Sequence, residues 1–286
     1  MATLKHEVTE FAPKTWHINE FRLVSAFLVE GSERAALIDT GCGIGNLADV
    51  VKSLTDKPLI ILITHGHFDH DGGVEMFPGV PVYLHEADIM RMRDNLALME
   101  KMLGCCDLHG MRTSYILSRG PSRWSAQEVD ELLKLVPAEN GEPIYEALPL
   151  HDGMELDLGG RVLKIIHTPG HTHGEISILD ETTRTLFSGD TANRSIILAR
   201  QPNNGNALIE ECSRTMSKLW EMQAQFDHLS TGHGPATSDK QIIKDYIDLT
   251  RGLLDGTIVG AYEESGFRKG DVARLGLAEL WYRCDA

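Results

Sequence analysis

Residues 58–70 read PLIILITHGHFDH, an unbroken apolar run that ends in three histidines and an aspartate within six residues, His65 to His70. A run that is apolar at every position suits a strand buried on both faces of an α/β sheet. Such a strand holds the loop at its C-terminal end rigidly, and that edge is where α/β sheets place their ligands. Imidazole and carboxylate suit zinc, and also iron or manganese. The alternate residues His65 and His67 share one direction while Asp69 and His70 aim elsewhere, so the loop predicts two adjacent metal positions. Solvated histidines would explain an isolated pair but not this density.

Working outward, three later stretches also carry a strand into a small-residue turn and a candidate ligand. In RVLKIIHTPGHTHG the Pro169-Gly170 turn precedes His171; TLFSGD delivers Asp190, a carboxylate able to bridge two ions; STGHG delivers His233. Taken in order, HxHxDH at 65–70, HTPGH ending at 171, GD ending at 190 and GHG around 233 resemble the signature of the metallo-β-lactamase superfamily, across roughly residues 20–240.

That resemblance implies an α/β protein, a four-layer αββα sandwich, with one metal on His65, His67 and His171, a second on Asp69, His70 and His233, and Asp190 bridging them. It implies a dinuclear hydrolase of the glyoxalase II or lactonase kind rather than a true β-lactamase, since β-lactamases of this superfamily lack the bridging aspartate that Asp190 supplies. Flavodiiron oxidoreductases have a glutamate where His67 stands. Two divalent ions, Zn2+ first with Fe or Mn as alternatives, would sit about 3.5–4 Å apart and lower the pKa of a shared water toward 7. The metal-bridging hydroxide would attack an ester, lactone or thioester, with Asp69 and Asp190 as catalytic residues and Asp69 orienting the water.

Three other readings share the ligand set: a phosphodiesterase, which needs a basic groove; a mononuclear iron dioxygenase of the persulfide type; and a signal-binding protein without turnover. Glyoxalase-type thioesterases hold glutathione with basic residues near the C-terminus, for which only Arg268-Lys269 offers itself. Lactonases carry a tyrosine soon after the bridging aspartate, where GDTANRS has none. The sequence leaves both branches open.

Composition narrows the partners. With 286 residues and 42% hydrophobic content the chain reads as one domain, 1–286, with an ordinary core. A net charge of −15 without a basic run argues against nucleic acid but does not choose a small substrate; a small-molecule substrate is what the hydrolase resemblance implies. No apolar stretch in the first twenty residues suits a secretion signal or membrane span, so the expectation is a cytoplasmic protein. Five cysteines without CxxC spacing read as reduced thiols, the vicinal Cys105-Cys106 as small apolar filling.

Along the chain, FRLVSAFLVE and AALIDTG read as a hairpin, residues 44–54 as a helix, and about 87–140 as a helical insertion. Met90, Met92, Met99, Met102 and Met111, half of the ten methionines, lie in that insertion; they read either as an adaptable apolar pocket or as packing on the sheet or a second subunit, which allows a homodimer. Strands resume with IYEALPL and run to TLFSGD, helices follow at 207–224 and 239–253, and residues 239–286 are expected as a C-terminal helical extension. His6, His17, His85, His109, His151 and His228 read as surface or structural; His167 and His173 flank a ligand and suit supporting or substrate-contact roles. Asp39, in LIDTG, reads either as a support behind the site or as a turn residue.

Overall fold

The computed structural model describes residues 4–105, 107–138, 144–200 and 205–284. It opens with an antiparallel meander, β1 (Glu7–Ala12), β2 (Thr15–Glu20), β3 (Val24–Glu30) and β4 (Ala35–Ile38). After α1 (Leu47–Leu54) the same sheet continues in parallel through β5 (Leu59–Leu62). Then α2 (Phe68–Asp71) leads to β6 (Val82–His85). Four helices, α3 (Glu86–Ile89), α4 (Met92–Leu103), α5 (Leu108–Arg123) and α6 (Ala126–Lys134), precede the last strand of this sheet, β7 (Leu148–Leu150). Cys106 and residues 139–140, at the edges of those sequence readings, lie outside the described residues.

The second sheet is built from β8 (Glu155–Asp157), β9 (Val162–His167), β10 (Ile176–Asp180) and β11 (Thr185–Phe187). The chain then forms β12 (Ser195–Ile197) and α7 (Gly205–Glu221) before returning to pair β13 (His228–Ser230) in parallel with β11. Beyond α8 (Gln241–Asp255), three strands, β14 (Ala261–Ser265), β15 (Arg268–Leu275) and β16 (Ala278–Cys284), join β12 in a third sheet of order β12-β16-β15-β14.

Alternation along the strands creates the layers. In β3 and β4, Phe27, Val29, Ala36 and Ile38 point toward Leu163, Ile165, Ile176 and Ile178 of the second sheet. Their neighbours Ala26, Leu28, Ala35 and Leu37 point the other way, onto Leu47 and Val51 of α1. With both faces covered, both sets are apolar, which is why these strands read as continuous hydrophobic runs. The far face of the second sheet, Ile166, Leu179, Leu186 and Leu229, packs on α7 and α8. The result is the mixed four-layer αββα arrangement.

The expected helical extension over 239–286 is corrected by the structure. Its helix ends at Asp255, where Gly256 adopts the left-handed conformation (φ 79°) that stops a helix. The remainder is two β-hairpins: Gly266 and Gly276 turn them at positive φ, and Ala273, Ala278, Leu280 and Tyr282 bury one face against α8. Residues 285–286 of that reading lie outside the described residues. Strand β1 leaves no mark in the sequence pattern, because Glu7, Val8, Thr9 and Glu10 are all exposed on an edge strand, where no apolar alternation is required. No helix among the described residues is long and apolar enough to cross a membrane. No disulfide forms among them either: Cys42, Cys105, Cys212 and Cys284 are thiols.

Three of the histidines read as surface or structural are buried, His85 against His167 and two near the start of the chain. His17 packs on Phe27 (5.2 Å) and its Nε2 meets Ser25 Oγ at 2.9 Å, while His6 leans on Phe21. Burial lowers the pKa of each from 6.5 to about 4. The unfolded chain therefore binds more protons as pH falls, and this stability, full above 6.5, is lost on the way down to 4. By pH 5 each histidine should cost about 2 kcal/mol relative to pH 7.5. Urea unfolding at both pH values tests this: the loss in His17→Phe should be smaller than in the wild type by about that amount, and parallel losses would refute it.

Candidate metal centre

Strand β5 ends where its register brings Thr64 beside Asp39, the residue following β4. Asp39 Oδ1 accepts from the Thr64 amide (2.7 Å), and Oδ2 accepts from the Thr64 hydroxyl and from His70 Nδ1, both at 2.8 Å. This placement costs the backbone a positive φ of 59° at Asp39, a conformation aspartate and asparagine tolerate better than most side chains. Asp39 is thus a support behind the site. The amides of His70 and Asp71 close the first turn of α2 onto the His67 carbonyl, carrying Asp69 and His70 inward.

All seven sequence-predicted residues are brought together. Three sets of donor atoms, His65/His67/His171, His65/His70/Asp190 and Asp69/His70/His233, each lie within 4.8 Å of one another. His67 Nδ1 faces His171 Nε2 at 2.9 Å, and His70 Nε2 is 3.3 Å from Asp190 Oδ1. His233 Nε2 is 3.4 Å from Asp190 Oδ2 and 3.5 Å from Asp69 Oδ2. Gly232 permits this approach, since a Cβ there would lie 2.5 Å from Asp190 Oδ1 and 2.6 Å from the His70 ring.

The backs of three imidazoles are pinned. His70 donates from Nδ1 to Asp39, His171 from Nδ1 to the Ile197 carbonyl (2.7 Å), and His233 from Nδ1 to the Leu23 carbonyl (2.6 Å). Each pin sets the tautomer, leaving the Nε2 lone pair directed into the cluster. The buried Nε2 atoms of His65 and His70 have no hydrogen-bond partner among the described residues. Buried, orphaned imidazole nitrogens beside carboxylates fit divalent cations, as does the donor set.

The electrostatics divide the cluster: burial lowers His65, His67 and His171, whereas at His70 the charges of Asp190 and Asp39 outweigh burial and hold the imidazole well above its ordinary value. Burial and the adjacent His171 push His67 down to about 3, and burial with His70 and His67 holds His65 far below its ordinary value, so both imidazoles are neutral. Burial works against the charge of Asp190, yet His233 and His70 outweigh it and keep that carboxylate well below its usual range.

Several supporting residues have no signal in the motifs. Tyr115, from α5, donates its hydroxyl to Asp69 Oδ2 at 2.9 Å. Asn193 donates to Asp190 Oδ1 (2.5 Å), and Glu175 accepts from the Asp190 amide (2.7 Å). Asp88, on α3, accepts from the amides of Gly66 and Gly174 and from the Thr172 hydroxyl, tying two ligand loops together. Asn193 and Glu175 lie three and four residues from a ligand, which is a weak clue; Asp88 and Tyr115 offer none. His167 stacks on His85 (4.1 Å, 6°) away from the cluster, whereas His173 lines a groove beside His67 and His171. Of the five methionines, Met99 and Met102 line the cavity over the cluster, Met92 and Met111 are core, and Met90 is exposed.

Residues 19–259 match the family described as the metallo-beta-lactamase superfamily. The chain belongs to this superfamily. A human superfamily protein named acyl-coenzyme A thioesterase MBLAC2 is 34% identical over 176 residues, covering 57% of this chain and 56% of its own. An atrochrysone carboxyl ACP thioesterase from Aspergillus fumigatus is 24% identical over 204 residues, 70% of this chain and 34% of that protein. The chain therefore spans little more than half the length of the human relative. The metallo-beta-lactamase family protein TTHA1429 from Thermus thermophilus shares the fold, with a TM-score of 0.55 at 22% identity over 84% of this chain and 80% of that one.

Asp39→Asn tests the brace. An amide keeps the shape and the backbone preference, but its NH2 must face either the Thr64 amide or the donors of Thr64 Oγ1 and His70 Nδ1. Metal affinity, measured by competition with a chromogenic chelator, should weaken roughly 10–100-fold with the circular dichroism spectrum retained. An unchanged affinity would remove Asp39 from the site.

Proposed function

We propose that this chain is a metal-dependent thioester hydrolase, with one divalent cation held by His65, His67 and His171, a second by Asp69, His70 and His233, and Asp190 between them. The observation that carries the reading is the set of pinned imidazoles whose free nitrogens converge on one buried volume. The names of the human and Aspergillus relatives support a thioester over other acyl bonds. Zn2+ suits the donors best, with Fe or Mn next.

Bound there, two such cations lower the pKa of water and polarise the acyl carbonyl. The chain's own residues supply position and environment. Tyr115 fixes the rotation of Asp69 through Oδ2, leaving Oδ1 to orient the attacking water. Asn193 holds Asp190, and the Asn193 side-chain oxygen also accepts from the His233 amide at 3.2 Å, so two ligands move as a unit. Leu98, Met99, Met102, Ile197 and Phe267 wall the cavity above the cluster, excluding water and offering an apolar surface to an acyl group. Arg119 and Arg268 stand at its rim, where they favour negative charge developing on the leaving sulfur.

Elemental analysis of the purified chain should find two divalent metals, and dialysis against a chelator should abolish hydrolysis of octanoyl thioesters until metal is restored. His67→Ala and Asp190→Ala should each lower turnover by at least about 100-fold while folding is retained. Less than one metal per folded chain, or unchanged turnover in either variant, would overturn the proposal. Cleavage of bis(p-nitrophenyl) phosphate with no thioester turned over would replace it with a phosphodiesterase.

A further inference from the structure

A second, larger cavity of about 840 Å³ opens from the rim of the first and shares Arg119, Ser195, His233 and Arg268 with it. Its wall adds Arg22, Arg123 and Arg194, so five guanidiniums face one groove in a chain whose net charge is −15. They come from the β2–β3 turn, α5, the residue before β12, and the start of β15. Only the two on α5 are near each other in sequence, so no basic run marks the groove.

Counter-charges are few. Asp239 and Glu279 are the acids of the lining. Asp239 Oδ1 accepts from the Gln241 amide. Glu279 is 2.7 Å from Arg274, outside the groove, and 3.6 Å from Arg268. Arg22 is paired with Glu128 at 2.9 Å. The exposed Arg194 side chain makes no ion pair among the described residues.

Two of the cations lie over aromatic rings. Arg119 lies over Phe267 at 4.8 Å and over Tyr115 at 5.0 Å, and Arg268 over Phe267 at 5.9 Å. The buried Nε of Arg268 has no hydrogen-bond partner among the described residues. Burial first, then the charge of Arg119, lowers the pKa of both Arg123 and Arg268. Guanidiniums so placed match the oxygens of phosphate groups.

We propose that this groove binds the phosphates of a phosphorylated pantetheine thiol, the leaving half of the thioester, while the acyl half occupies the apolar cavity on the other side of Arg268 and His233. The inference rests on the thioesterase reading and names its substrate class. One phosphate on a pantetheine arm and the several phosphates of a pantetheine nucleotide share the required chemistry.

The test compares kcat/KM of the metal-loaded protein for octanoyl esters of coenzyme A, 4′-phosphopantetheine and pantetheine. At least one phosphorylated thiol should be preferred over pantetheine by about tenfold or more, an advantage that shrinks with added salt. In Arg123→Ala/Arg194→Ala the ratio should fall toward one, whereas Arg251→Ala, which removes an exposed charge from α8, should keep it. A preference for coenzyme A over phosphopantetheine assigns the nucleotide phosphates to the groove; equal values assign the single phosphate. Calorimetry with desulfo-coenzyme A, which has no sulfur to meet the metals, should show binding about tenfold weaker in the double variant. Equal kcat/KM for all three thiols, without desulfo-coenzyme A binding, would overturn the groove and leave the thioesterase standing. If no thioester is hydrolysed, the thioesterase reading fails and the calorimetry alone decides the groove.

Discussion

Seven donor groups held within a few ångströms of one another, stripped of water, form an arrangement that no chain adopts for its own stability. Unpaired lone pairs face each other, and burial works against the charge of a carboxylate such as Asp190, which stays ionised only because His233 and His70 stand beside it. The rest of the structure supplies what the cluster lacks. Two sheets pack their apolar faces together beneath it, and the strands whose ends carry the ligands cannot shift without opening that core. The pins on His70, His171 and His233 then fix each ring from behind, two by backbone carbonyls and one by Asp39.

The helical insertion contributes more than a cover. Arg112 of α5 is fully buried and donates to the carbonyls of Cys42 and Gly72 and to Glu75, so the helix is bolted to the β4–α1 loop and to the segment that follows α2. One turn further along α5, Tyr115 reaches Asp69, and Asp88 at the start of the insertion ties the His65–His67 loop to the loop after His171. Helices that form the apolar wall therefore also set the positions of ligands. Gly174 reflects the tightness of the junction, since a Cβ there would come within 2.6 Å of the Asp88 backbone.

Charge is distributed against the average. A formal −15 describes the whole chain, but the groove beside the cluster gathers five arginines from four separate segments. Steering of an anionic substrate depends on this local field and not on the sum, because at physiological salt charges more than about 8 Å away are largely screened. The Arg268 that the sequence offered as a weak echo of a glutathione-binding pair proves to stand at the junction of both cavities.

Local chemistry made the ligands legible. A histidine or aspartate at the end of an apolar strand, after a Gly or Pro turn, is a pattern written in consecutive residues, and four such patterns in order carry the fold with them. The same locality made β3 to β5, β10 and β11 readable, since burial on both faces fills them with apolar residues. Edge and hairpin strands such as β1 and β14 to β16 were not readable, because exposure on one or both faces frees their sequence from that rule, and the letters after Asp255 accordingly read as helix. Asp39 was undecided for a related reason: a turn aspartate and a brace look alike until the strand register sets it against Thr64 and His70. Tyr115, Asp88 and the five-arginine groove were decided by tertiary structure alone, because their partners lie in distant segments and electrostatic neighbours in space leave no mark on sequence spacing.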